Sequence, residues 1–139
     1  GELLARMDKV ASIAAIKHSE QIVVTASINN VAFGEPVPNG SILTIEAKVS
    51  RAFNTSMEVF IDVWKQNKTH KKRVKVNEAI YTFVAVSKSG KTVKVPPLIP
   101  ETELEKKRFD AALRRRQLSL VLAGKMKANE ATELKAIFD

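Results

Sequence analysis

Apolar positions recur at three- and four-residue intervals over 2–17 (ELLARMDKVASIAAIK), where Leu3, Leu4, Met7, Val10, Ala11 and Ala14 mark one side of a helix. Glu2 in its first turn and Lys17 in its last suit the helix dipole. The segment is rich in alanine and apolar over much of its circumference, which predicts a largely buried helix. From 21 onward the period drops to two. In 21–33, Ile22, Val24, Ala26 and Ile28 alternate with Val23, Thr25, Ser27 and Asn29. In 41–53, Leu43, Ile45, Ala47 and Val49 oppose Thr44, Glu46 and Lys48. The run 56–65 repeats this with Met57, Val59, Ile61 and Val63 against Glu58 and Asp62, and 73–87 is the fourth such stretch. The alternation predicts antiparallel strands with one wet face, and the length of the runs predicts a wide, curved sheet.

After a turn and an extended, proline-bearing connector (87–100), Thr102 and Glu105 form a capping box that opens a helix over 103–122. Its Glu103–Lys107 and Asp110–Arg114 pairs stand four apart, Gly124 breaks it, and a short third helix is expected at 126–138. One helix followed by a long antiparallel sheet is an α+β arrangement. The expected division is a sheet-and-helix domain at 1–100 and a C-terminal helical extension at 101–139.

Composition narrows the chemistry. There is no cysteine among the 139 residues, which removes disulfides, thiolate metal sites and cysteine nucleophiles and fits a reducing, cytoplasmic setting. Two histidines, His18 and His70, are too few for a His-rich metal site. No apolar run is long enough for a membrane span. The net charge is +8, and it is concentrated: 65–100 holds 9 basic and 1 acidic residue, densest in KQNKTHKKRVK (65–75). Such a surplus attracts phosphate-bearing partners by general electrostatics, or keeps a hairpin tip soluble. Without an aromatic residue in 65–75 or a recognised nucleic-acid motif, no nucleic-acid partner is expected.

Few residues stand out as chemically equipped. Ala85–Thr92 (AVSKSGKT) has the outline of a phosphate-binding loop, but Val93, Val95, Pro96 and Pro97 follow where that loop needs a helix. Asp8 is more informative. Its helical neighbours Leu4, Ala5, Ala11 and Ser12 supply no cation, and it stands at the edge of the apolar stripe. It is either exposed at the seam or partly buried for a purpose, with Ser12 one turn on and able to hydrogen-bond it. The helix N-terminus at Gly1 and Glu2 offers unpaired amides suited to a carbonyl oxygen. His18 reads as a residue placed beside the helix C-terminus.

Several separated segments resemble the hotdog-fold acyl-CoA thioesterases of the acyl-CoA hydrolase family. They are Met7-Asp8-Lys9-Val10-Ala11 through His18-Ser19, Val23-Val24-Thr25-Ala26-Ser27, Thr55-Ser56-Met57-Glu58, Tyr81 to Val86, and Val95-Pro96-Pro97 with Pro100 to Glu103. The similarity runs in order over about 1–116. It implies a sheet wrapped around one central helix and hydrolysis of fatty acyl-CoA to free acid and CoA, with no cofactor beyond the CoA of the substrate. It also implies that Asp8 is the general base or the attacking carboxylate, and that amides near Gly1 and Glu2 hold the oxyanion. Asn54, Thr55, Ser56 and Met57, with Ser12, would lie near the bound substrate. Sites shared between subunits are implied too, hence a homodimer or a trimer of dimers. The family's first strand and catalytic asparagine would lie upstream of Gly1. Two other functions remain open: a hotdog dehydratase or hydratase, for which His18 is poorly placed, and a non-catalytic module that binds CoA or acyl chains.

Overall fold

In a computed structural model, residues 1–67, 69 and 72–131 of the protein are described. They fall into two compact units, one ending at Pro97 and the other beginning at Leu98. The first unit holds helix α1 (Glu2–Ser19) and strands β1 (Ile22–Ala32), β2 (Ile42–Ala52), β3 (Ser56–Gln66) and β4 (Val74–Val86). The strands form one antiparallel sheet in the order β1-β4-β3-β2. α1 lies across one face, chiefly over β2 and β3. This is the α+β hotdog arrangement that the resemblance implies, with all four strands where the alternation predicts them.

The helix-facing side of the sheet is the core. Met57, Val59, Ile61 and Val63 of β3 are completely buried, as are Ala85 of β4 and Met7, Ala11 and Ala15 of α1. Tyr81 and Phe83 of β4 stack beneath the helix with ring centroids 5.9 Å apart. From β2, Ile45, Ala47 and Val49 pack against this cluster, on the face the sequence assigns them. Each of three strands carries an extra residue. Ala26 in β1, Ser50 in β2 and Val76 in β4 interrupt the ladder, and such bulges bend and twist a long sheet. Buried Ser50 donates a hydrogen bond to the Glu58 carboxylate at 2.6 Å.

Two expectations need correction. α1 is not largely buried: only Met7, Ala11, Ala15 and Ser19, a stripe of period four, are covered. Leu4, Ile13 and Ile16 remain nearly half exposed, because one sheet covers only one side of a helix. In β1, Ala26 resets the alternation. Thr25 pairs with Phe83 and Ile28 with Tyr81, so both face the helix side, while Ile22 and Val24 face away.

The second unit holds α2 (Glu103–Leu122). Its capping box is formed as predicted: the Thr102 hydroxyl accepts from the Glu105 amide at 3.1 Å, and the Glu105 carboxylate accepts from the Thr102 amide at 3.2 Å. Glu103 lies 3.6 Å from Lys106, one position before the predicted Lys107. A single 3-10 turn (Ala128–Glu130) occupies the start of the expected third helix, whose part beyond 131 lies outside the described residues. No helix among the described residues is long and apolar enough to cross a membrane.

Candidate active site

Asp8 follows the buried Met7 on α1 and is itself exposed. Among the described residues its carboxylate has no hydrogen-bond or ion-pair partner. Ser12 does not provide one, because its hydroxyl donates to the Lys9 carbonyl at 2.9 Å, a local bond that ends its reach toward Asp8. The titratable group that senses Asp8 is the phenol of Tyr81. Burial, and then the negative charge of Asp8, hold that phenol above the usual tyrosine range. Asp8 is therefore a carboxylate without a partner among the described residues, whose charge acts on Tyr81 of β4.

The helix start is equally open. Gly1 caps α1 without any side-chain hydrogen bond, and its carbonyl accepts from the Ala5 amide at 3.2 Å. Glu2 pairs with Arg6 at 2.8 Å, both exposed. Beside them, Glu2, Leu3 and Arg6 with Leu43 and Ile45 line a cleft of about 220 Å³.

Asn54 and Thr55 make the turn from β2 to β3, closed by the Phe53 amide donating to the Ser56 carbonyl at 2.8 Å. The turn is tied down on its far side as well. The Thr55 carbonyl accepts from the Ala85 amide at 2.9 Å, and the Asn54 carbonyl from the Val95 amide at 2.8 Å. Asn54 is exposed and Thr55 half-buried, while Ser56 is buried and Met57 fully so. The Met57 side chain is a core residue, and within this chain it is closed to a ligand.

These candidates do not converge in one chain. The α1 N-terminus lies beside Leu43 and Ile45, at the start of β2. Its C-terminus lies at the other end, where the His18 ring Nε2 donates to the Pro96 carbonyl at 2.8 Å, next to the Val95 that holds Asn54. An 18-residue helix separates the two ends by about 27 Å. Gly1, Glu2 and Asp8 thus belong to one end and the middle of α1, and Asn54 to Met57 belong to the opposite end. His18 stands at the helix end, as the sequence reading has it, and there it also fastens the connector to α1, a contact that reading did not include.

Comparison with known proteins decides the family. Residues 1–71, about half of the chain, match the thioesterase superfamily. The chain belongs to that superfamily. Among its relatives, the human cytosolic acyl coenzyme A thioester hydrolase is 37% identical over 112 residues, covering 79% of this chain. The chain in turn spans 30% of that protein's length. An apo-hexameric acyl-CoA thioesterase superposes with a TM-score of 0.83 at 35% identity, covering 88% of this chain and 79% of its own. The acyl-CoA hydrolase of Staphylococcus aureus, solved with butyryl coenzyme A and coenzyme A, gives a TM-score of 0.79 at 33% identity, over 90% of this chain and 78% of its own. That hydrolase has also been solved with an aspartate, an asparagine or a threonine replaced by alanine.

The basic surplus of this thioesterase-superfamily chain divides into two kinds. Near the β3–β4 connection Lys65, Arg73 and Lys75 are engaged, while exposed Lys72 has no carboxylate partner among the described residues. Lys65 reaches Glu35 at 3.4 Å, and Arg73 reaches Glu46 at 2.7 Å while lying over the Trp64 ring. Lys75 holds both Asp62 at 2.8 Å and Glu78 at 3.0 Å. Burial alone would lower the Lys75 pKa, but these two carboxylates outweigh it and hold the ammonium above its ordinary value. Lys68, His70 and Lys71 lie outside the described residues. Among the described residues, no three His, Cys, Asp or Glu side chains converge as a metal site requires.

Proposed function

We propose that this chain hydrolyses acyl-CoA thioesters, with Asp8 as general base or nucleophile. The observation that carries the reading is the Asp8 carboxylate: exposed, charged and unpartnered on the central helix of a thioesterase-superfamily fold. Such a group can take a proton from water as that water attacks the thioester carbon. Alternatively it attacks the carbon itself and forms an anhydride that water then opens. In either route charge develops on the carbonyl oxygen, and the free amides at the start of α1, near Gly1 and Glu2, are suited to receive it. The coenzyme A thiolate leaves and is protonated.

The separation of the two candidate regions supports a site completed by a second copy of the chain, which would bring its Asn54–Ser56 turn to the Asp8 of the first. Hexamery among the structural neighbours agrees with an oligomer built from such pairs. Thr25 joins the reading through spacing. The aspartate and threonine altered in the Staphylococcus aureus hydrolase stand 17 positions apart, the interval from Asp8 to Thr25 (25 − 8 = 17). Thr25 is exposed on the helix-facing side of edge strand β1, where a partner can approach. A cytoplasmic location accords with the name of the human relative.

Asp8→Asn keeps the size of the side chain and removes its charge. In the full-length protein, kcat for an acyl-CoA is expected to fall by about 10²-fold or more, with KM within a few-fold and the melting temperature preserved. Normal turnover in the folded variant would end the assignment.

A further inference from the structure

The lysines that follow β4 differ from Lys65 and Lys75, which carboxylates hold. Lys88, Lys91 and Lys94 are exposed, and among the described residues none has a carboxylate partner. They sit on an ordered ribbon. The Ser87 amide donates to the Lys91 carbonyl at 2.8 Å, and the Gly90 amide to the Ser87 carbonyl at 2.9 Å. The Ser87 and Ser89 hydroxyls are 2.9 Å apart. Gly90 adopts φ 83°, a conformation that a side chain resists, so the turn is fixed by the residue that suits it. Beyond the turn, Val86 bridges Thr92 and the Val93 amide donates to the Ala85 carbonyl at 2.9 Å. Ala85 and Val95 are the same two residues whose amides hold Thr55 and Asn54.

Three ammonium groups are thus carried beside the β2–β3 turn, on a segment (87–97) that contains no acidic residue. Among the described residues no carboxylate compensates their mutual repulsion. A frame of this kind suits a ligand that brings several negative charges of its own. The nucleotide end of coenzyme A does so, with a diphosphate and a 3′-phosphate.

We propose that Lys88, Lys91 and Lys94 are the phosphate-binding site for the nucleotide end of coenzyme A, next to Asn54 and Thr55, and that the basic hairpin at the other end of the sheet is not. The proposal rests on the acyl-CoA reading above. It also narrows the expectation that the whole basic segment 65–100 serves this purpose.

The test is coenzyme A binding by calorimetry, with hydrolysis measured separately on an acyl-CoA and on an acyl-N-acetylcysteamine thioester, which lacks the nucleotide. In K88A/K91A/K94A the Kd for coenzyme A is expected to rise about tenfold, with a flatter salt dependence. Turnover of the acetylcysteamine thioester should stay unchanged. K65Q/K72Q/R73Q removes the same three charges from the opposite end and should leave the Kd within about twofold. The proposal is overturned if the first variant binds coenzyme A normally, if both variants lose affinity equally, or if the unaltered protein does not bind it. A protein that binds coenzyme A through these lysines but hydrolyses neither thioester would keep the proposal and overturn the thioesterase reading instead.

Discussion

Strands β1 and β3 are both 11 residues long, both carry alternating apolar side chains, and they end in opposite environments. β3 lies between two neighbours and under the helix, and eight of its residues in a row are buried. β1 is an edge, bonded to β4 alone, and nearly every residue in it is exposed, including Ile22, Val24, Ile28 and Val31 at just over half of their full area. The contrast shows what local pattern specifies and what it does not. Alternation makes a strand, whereas sheet order decides whether its apolar side is covered. A long, apolar, open edge invites another strand, which is why β1 fits an oligomer better than an isolated chain.

The largest way to break the comparison is paired truncation. Ile61→Ala in β3 should cost about 3–4 kcal/mol of unfolding free energy, because a filled interior loses packing it cannot recover. Ile28→Ala in β1 should cost below about 1 kcal/mol when measured in dilute, dissociated protein. Equal costs by denaturant titration would erase the distinction. Next in size is Val24→Lys, which places a charge on the open edge. Self-association should weaken by about tenfold or more in sedimentation experiments, with the monomer's melting temperature little changed. Unchanged association would mean that the partner docks elsewhere.

The smallest effect separates the buried face by pH. Both Tyr81 and Lys75 have pKa values raised in the folded state. The unfolded chain therefore releases their protons first, and stability is complete below about pH 10 and declines as the pH rises beyond it. Tyr81 is the one tyrosine in the sequence, so an ultraviolet titration reads it directly. Its midpoint should lie above that of a free phenol and move down in Asp8→Asn, since the Asp8 charge is part of the cause. A midpoint indifferent to Asp8 would place that carboxylate away from the sheet.

Much of the fold was legible because its signals are local. Thr102 and Glu105 name the start of α2, and Met57 to Val63 name the buried face of β3, each within a few residues. The bulges were not legible, since Ala26 looks like one more member of an alternating run until the partner strand is known. α1 was read as too deeply buried because alanine serves a packed and an open helix face equally well. Charge was legible as a total but not as pairs: Glu35 and Lys65 are 30 residues apart, and Glu46 and Arg73 are 27 apart. At the candidate site, Asp8 stood out as a lone carboxylate on an apolar helix. Thr25 did not, because a threonine in a strand is ordinary; it lay within one of the family-like segments, but only the interval from Asp8 singles it out.

The order of the strands also sets a schedule for assembly. β2, β3 and β4 follow one another in the chain and pair in that same order, through connections that bring their ends together early. β1 pairs with β4 only after the chain between 32 and 74 has closed into a loop. Longer closures lose more chain entropy and form later. Loop entropy therefore predicts that β1 is the last strand to arrive, and that the flank of Tyr81 and Phe83 facing β1 stays open until it does.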